Sequence, residues 1–220
     1  MDISWLIKAF KAVFGRISPN PVATGVDEAR TLGHTEPGSD PVGTGDDRWD
    51  TLIKKYAGQS GISWFIVKAV IWQESRFDPA ARSQCGAMGL MQLMPSVYKP
   101  AGIDPLNSEQ NIRVGCAHLK GMWDIFKAES GIERWKFALG SYNAGPGYII
   151  EAQEIAKQYG AKTYKWYHVA IFLDRAQVGL NKCDWKQVTE YVDLVISKMY
   201  EYILLHKAGN KIEEVLSCQL

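Results

Sequence analysis

The chain has 220 residues, 46% of them hydrophobic and 11% aromatic, with a formal charge of +1 at pH 7. That length suits one ordinary domain with something appended, and the apolar content is enough for a sizeable core. The near-neutral charge supplies neither the basic excess that favours nucleic acid nor the acidic excess that keeps a chain disordered.

Residues 1–17, MDISWLIKAFKAVFGRI, place Ile3, Leu6, Ile7, Phe10, Val13, Phe14 and Ile17 at three- and four-residue steps, with Lys8, Lys11 and Arg16 mostly off that stripe. The pattern predicts an amphipathic basic helix. Such a helix can make contact with a membrane surface, or dock on its own domain or on a partner, and the residues leave both readings open. It is not a convincing export signal, because Asp2 stands where a positive segment belongs and Lys8 and Lys11 interrupt the apolar run. No stretch approaches the ~18 apolar residues of a spanning helix. Residues 18–46 are rich in Gly and Pro, without periodicity, and read as a flexible linker.

From Asp47 the periodicity is helical nearly to the end, and the predicted class is all-α. Trp49, Leu52, Ile53 and Tyr56 form one face, closed by Gly58 and Gly61. Ser63 is placed to cap a helix running to about Ser75, and Asn107 with Gln110 resembles a capping box that opens the next long helix. Residues 132–143 and 147–159 predict two more helices, broken at Gly145-Pro146-Gly147, and another is expected over roughly 164–177. Asp184 caps a last long helix to about residue 206, followed by a tail over 206–220. No sustained period-two strand and no internal repeat are found. Cys85, Cys116, Cys183 and Cys218 form no CxxC pair, and the four histidines lack zinc-ligand spacing, so no metal is expected and the thiols read as mostly buried. Disulfide pairs cannot be assigned from the sequence.

The segment QESRFDPAARSQCGAMGLMQLMP, Gln73 to Pro95, is the most informative. Glu74 follows Val70 by four residues and Ile66 by eight, so it projects from the apolar face of its helix, close to the C-terminal end. Apolar surroundings and the negative end of the helix dipole both raise a carboxyl pKa. A glutamic acid protonated near neutral pH suits general acid catalysis. Phe77 and Pro79 stop the helix, Ser83 offers a hydroxyl, Gly86 and Gly89 permit unusual backbone, and Gln92 sets one amide in an apolar run. A buried amide needs partners, so Gln92 is expected to face a polar ligand or another polar group.

These residues resemble the first motif of the lysozyme-like lytic transglycosylases, in the superfamily of soluble lytic transglycosylases and goose-type lysozymes. Glu74, Ser75, Phe77, Pro79, Ala81, Ser83, Gly86, Ala87, Gly89, Leu90, Met91, Gln92, Leu93, Met94 and Pro95 match it in order. Asn111-Ile112 with Gly115 and Leu119 resembles the motif of the next helix, and Ser141-Tyr142-Asn143-Ala144-Gly145-Pro146-Gly147 resembles a further one, with Ser for its first Ala. Glu190-Tyr191-Val192 resembles the last motif, although the usual Pro and Thr are out of place. The resemblance covers about 47–205 and implies a lysozyme-like catalytic domain.

Carried over residue by residue, the resemblance makes Glu74 the catalytic acid and base. Ser83, Gln92 and Met94 line the flanking subsites, Tyr142 hydrogen-bonds near the carboxyl, Asn143 supports the sugar site, and Glu190 helps bind sugar or stem peptide. Read singly, Ser83 could cap a turn, Met94 could be core, and Tyr142 could be a core tyrosine. Tyr164, Trp166 and Tyr167 could stack on sugar rings or pack a helix, and His168 reads as structural. The implied substrate and partner is the peptidoglycan glycan strand, cleaved at the β-1,4 bond between N-acetylmuramic acid and N-acetylglucosamine. The implied product carries a 1,6-anhydromuramic end, and no cofactor is needed. Hydrolysis of the same bond by water is the nearer rival, and a non-catalytic glycan-binding or virion structural module the distant one. Peptidoglycan lies outside the cytoplasm, so the absence of a clear export signal suggests a phage-encoded or otherwise delivered lysin.

Overall fold

The computed structural model describes residues 47–178 and 181–217, with the side chains of 182 and 209–217 excepted. The amphipathic segment 1–17 and the linker 18–46 lie outside the described residues, as does Cys218. A short 3-10 turn over Asp47–Trp49 leads into α1, Asp50–Ser60. There follow α2, Trp64–Ser75; α3, Pro95–Tyr98; α4, Ser108–Ile125; α5, Gly131–Ala144; α6, Pro146–Gln158; and the short α7, Trp166–Ala170. A two-stranded antiparallel ribbon, β1 Gln177–Val178 and β2 Asn181–Lys182, precedes α8, Trp185–Ser217. The domain is therefore all-α, as its periodicity predicts, apart from that ribbon and two isolated bridges.

The centre of the domain is α2. Ile66, Val67, Ala69, Val70 and Ile71 have no solvent exposure, so the helix is covered all round rather than on one stripe. It packs along α8, whose Val188, Val192, Val195 and Met199 recur at three- and four-residue steps and are all buried. Lys68 is also fully buried on α2, its Nζ 2.6 Å from Asp47 and 2.7 Å from Asp50. The pair ties the start of α1 to α2, because a buried ammonium is tolerated only when compensated. The Tyr202 ring of α8 lies 5.3 Å from the same ammonium.

The local capping signals hold in part. Asn107 does cap α4, accepting from the Gln110 backbone N–H at 3.0 Å, but the Gln110 side chain accepts from Asp104 instead of returning to Asn107. Asp184 caps α8 through the Gln187 backbone N–H at 3.2 Å. Ser63 holds the extended backbone of an N-cap, yet its side chain makes no capping bond. The helix expected over 164–177 shrinks to α7, because the chain turns after Ala170 and pairs residues 177–178 in the ribbon. The last helix does not stop near 206 but runs to Ser217. Of the described cysteines, Cys116 and Cys183 are buried while Cys85 is exposed, and all three are free thiols.

Candidate active site

The penultimate residue of α2 is Glu74, and the turn after it is unusual. Arg76 (φ 51°) and Phe77 (φ 64°) both adopt left-handed backbone, and Gln92 (φ 44°) does so on the facing segment. These are the three non-glycine residues with positive φ among the described residues, and all belong to this site. Such backbone costs about 1–3 kcal/mol per residue and persists only where the surroundings enforce it. Here Phe77 is anchored in the core at 4% exposure, while Asp78 accepts from the Ala80 N–H at 2.9 Å and tightens the turn.

Side chains from three helices pin the segment opposite Glu74. Ser75 Oγ of α2 donates to the Leu90 carbonyl at 2.8 Å. Asn111 of α4, fully buried, accepts from the Met91 N–H at 2.8 Å and donates to the carbonyls of Met88 (3.0 Å) and Pro105 (2.8 Å). Tyr142 of α5 donates to the Met91 carbonyl at 2.7 Å. Consecutive backbone groups thus find partners that an irregular buried segment must have. Two glycines allow the approach. At Gly89 (φ 77°) a Cβ would collide with the Pro105 carbonyl and the Asn111 amide, and at Gly115 with the Met91 side chain.

The Glu74 carboxyl is half-buried and receives a 2.7 Å hydrogen bond from Tyr191 Oη of α8. Burial pushes its pKa up to about 7, against the opposing effect of the Tyr191 hydroxyl, which favours the anion. Tyr191 and Tyr142 are themselves held well above the usual tyrosine range, first by burial and then by the Glu74 charge, so both act as hydrogen-bond donors. His118, half-buried and held below its ordinary pKa by burial, sets its ring 5.3 Å from that of Tyr142. The arrangement is a proton source poised near neutrality, with two fixed hydroxyls around it.

The other expected residues divide. Ser83 is exposed and its Oγ accepts from the Ala87 N–H at 2.9 Å, so it does close a turn while remaining accessible. The Gln92 amide turns inward, donating to the carbonyls of Gly89 (2.9 Å) and Ala81 (3.2 Å), which answers its need for partners within the protein. Met94 stands 41% exposed. Asn143 lines a cavity of about 180 Å³ together with Tyr148, Asp184 and Gln187. Glu190 is exposed on α8, one residue before Tyr191. Trp166 is buried edge-on to Phe137, the packing role, whereas Tyr164 and Tyr167 are exposed.

Sequence reasoning missed Tyr191, Asn111 and Gln187. The first two stand inside motifs that were matched. The carboxylate of the last motif was given the role there, although the adjacent phenol reaches Glu74. An amide in the buried stripe of α4 was the available sign for Asn111. Gln187 lies one turn before Tyr191 on α8 and lines the cavity that Asn143 also lines.

A family model described as the transglycosylase SLT domain matches residues 51–165, just over half of the chain. The chain belongs to that family. The match spans the Glu74 turn, the pinned segment and α5, but ends before Tyr191. A membrane-bound lytic murein transglycosylase F of Desulfosudis oleivorans is 42% identical over 121 residues, which cover 54% of this chain and 27% of that protein. Among solved structures, an inactive mutant of the lytic transglycosylase Slt from Pseudomonas aeruginosa aligns with a TM-score of 0.54 at 25% identity, covering 76% of this chain and 25% of that one. The 70 kDa soluble lytic transglycosylase of Escherichia coli aligns at 0.55 and 23% identity, covering 71% and 24%. The SLT domain described above therefore corresponds to about a quarter of these relatives. Its fold is theirs, the lysozyme-like fold of lytic transglycosylases.

Proposed function

We propose that this SLT domain is a peptidoglycan lytic transglycosylase in which Glu74 alone serves as acid and then as base. The observation that carries the reading is the Glu74 carboxyl itself, held near pKa 7 by burial and oriented by Tyr191. Protonated, Glu74 gives its proton to the glycosidic oxygen as the bond to the muramic anomeric carbon breaks. The neighbouring 2-acetamido group of the sugar stabilises the cationic centre. The muramic O6 hydroxyl then attacks that carbon, its proton passes to the Glu74 carboxylate, and a 1,6-anhydro ring closes. Tyr191 supports the anion that exists between the two transfers, because its hydrogen bond favours the charged form.

Two-carboxylate glycosidases place a second acid on the far side of the sugar. The shift of Glu74 arises from burial, opposed by the Tyr191 hydrogen bond, and membership of the SLT family supports cyclisation over activated water. In this reading Ser83, Met94, Asn143 and Glu190 contact the glycan strand, which is supported by the exposure of Ser83, Met94 and Glu190 and by the place of Asn143 in the lining of a cavity. Tyr142 acts by fixing Met91 and Gln92 acts by fixing the Gly89 turn, so both shape the site from behind. A domain of this kind works in the periplasm or outside the cell, and delivery as a phage lysin remains part of this proposal, as does contact of residues 1–17 with a membrane surface.

Digestion of purified peptidoglycan in heavy-oxygen water tests the reaction. Cyclisation yields muramic ends lighter by one water and free of label. Predominantly labelled reducing ends would replace this reading with a muramidase, and intact glycan would remove the enzyme altogether.

A further inference from the structure

On another part of the surface, the chain leaving α4 and one face of α6 enclose an open groove of about 400 Å³. Ile150, Gln153 and Lys157 of α6 lie three and four residues apart and share that face. The groove does not include Glu74 or any residue named above as part of its site.

Glu129 lines this groove and is only 8% exposed. Gln153 Nε2 donates to one of its carboxylate oxygens at 2.9 Å, and the same amide donates to the Thr163 carbonyl at 3.0 Å. Gln153 is neutral, and among the described residues no lysine, arginine or histidine forms an ion pair with Glu129. A carboxylate on the groove wall whose side-chain partner is a neutral amide keeps acceptor capacity for a cation that enters the groove.

The rim adds two further demands. Lys127 and Lys157 are exposed and line the same groove, as does the exposed Glu154, and neither lysine closes an ion pair among the described residues. Ile125 and Ile150 also line it, each 44% exposed, and give the groove its aliphatic wall. A plain diamine would satisfy Glu129 but meet the lysines with like charge. A plain dicarboxylate would satisfy the lysines but meet Glu129 and Glu154 with like charge. Specificity of this kind comes from the repulsive contacts as much as from the attractive ones.

We propose that this groove is a binding site for an α-amino acid end carried on an aliphatic stem. Its ammonium is received by Glu129, its carboxylate by Lys157 and Lys127, and its stem by Ile125 and Ile150. A free amino acid and the side chain of a diamino acid within a peptide both present that chemistry. The second source rests on the peptidoglycan reading above, whereas the site itself does not.

Calorimetric titration of the full chain decides it. The probes are meso-diaminopimelate as the zwitterion on a stem, cadaverine as diamine and pimelate as dicarboxylate. A muramyl peptide ending in diaminopimelate is added with its distal amine free or acetylated. The expected result is binding of diaminopimelate at least about tenfold tighter than of cadaverine or pimelate, weakened at least about tenfold by Glu129→Gln, as the loss of a charged hydrogen bond requires. Lys157→Ala, on the surface and safe for folding, weakens it too. Equal affinity for free and peptide-borne ends, abolished by acetylation, assigns the peptide source; binding of the free amino acid alone assigns the other. No heat with any probe at millimolar concentration, equal affinity for cadaverine, or binding indifferent to Lys157→Ala would overturn the site. No arm uses glycan cleavage, so failure of the Glu74 mechanism leaves this test intact.

Discussion

Glu74 couples the chemistry of the site to the stability of the domain through a single proton. The folded chain holds its carboxyl near pKa 7, whereas the unfolded chain releases that proton near 4.5. The folded state therefore binds more protons between those values, and stability falls as pH rises through that window. Replacing Glu74 by Gln removes the penalty. The variant should be more stable than the parent at pH 8 by at most about 3 kcal/mol, with little difference at pH 4, as urea unfolding at the two pH values would reveal. The same variant should lose lytic activity by more than the roughly 10²–10⁴-fold typical of acid–base catalysis, since in the proposed mechanism one residue supplies both acid and base. A well-folded variant that kept a tenth of the parent activity would remove Glu74 from the mechanism. Tyr191 offers a second measurement. Its hydrogen bond lowers the Glu74 pKa, so Tyr191→Phe should move the alkaline limb of the kcat/KM profile, where the acid is lost, to higher pH. A limb that stays in place would mean that the phenol does not touch the working carboxyl.

Among the elements, the junction of α2, α4 and α5 carries the site. Each contributes a side chain, Ser75, Asn111 and Tyr142, to the backbone of residues 88–91, and Glu74 is held where that segment faces the end of α2. Asn111 is the centre of this arrangement, because its one amide serves three backbone groups at full burial. Truncation to Ala would leave those groups unpaired at about 1–3 kcal/mol each, less whatever water recovers. A loss of roughly 3–5 kcal/mol in urea unfolding is expected, with activity falling further than stability alone explains. The salt-bridged Lys68 makes a similar demand between α1 and α2, but it lies behind the site. Lys68→Ala should cost about 3 kcal/mol by stranding Asp50 while leaving the pH profile of the remaining activity unchanged.

On the scale of the whole molecule, compact chain contacts separate residues 1–41 from residues 42–220, and every residue of the candidate site belongs to the second unit. Residues 42–220 expressed alone should fold cooperatively and cleave isolated peptidoglycan at the parent rate. The loss, if residues 1–17 act at a membrane surface, should appear only with intact cells. A truncated chain that unfolds, monitored by circular dichroism, would instead place the first segment in the core. Among the described residues no helix is long and apolar enough to cross a membrane.

The all-α class, most helix starts and the family were legible in the sequence, and Glu74 stood out there as a candidate acid, because each rests on local information. Apolar residues recur with the helical period, caps and glycines sit at fixed offsets, and the segment from Glu74 to Pro95 is contiguous. Legibility failed where partners come from far along the chain. A separation of 117 residues between Glu74 and Tyr191 carries no sign that a phenol on α8 would meet that carboxyl, and the carboxylate of Glu190 beside it is the more conspicuous group in the sequence. Gln92 asked for a polar partner, but that the partner is the protein's own Gly89 turn depends on a left-handed backbone which no propensity predicts. The helix expected over 164–177 gave way because Gln177 and Val178 gained ribbon partners five and three residues on. Hydrophobic period and capping chemistry are properties of neighbours in sequence; the pKa of Glu74, the pinning of residues 88–91 and the desolvation of Lys68 arise only when separate helices close around one another and exclude water.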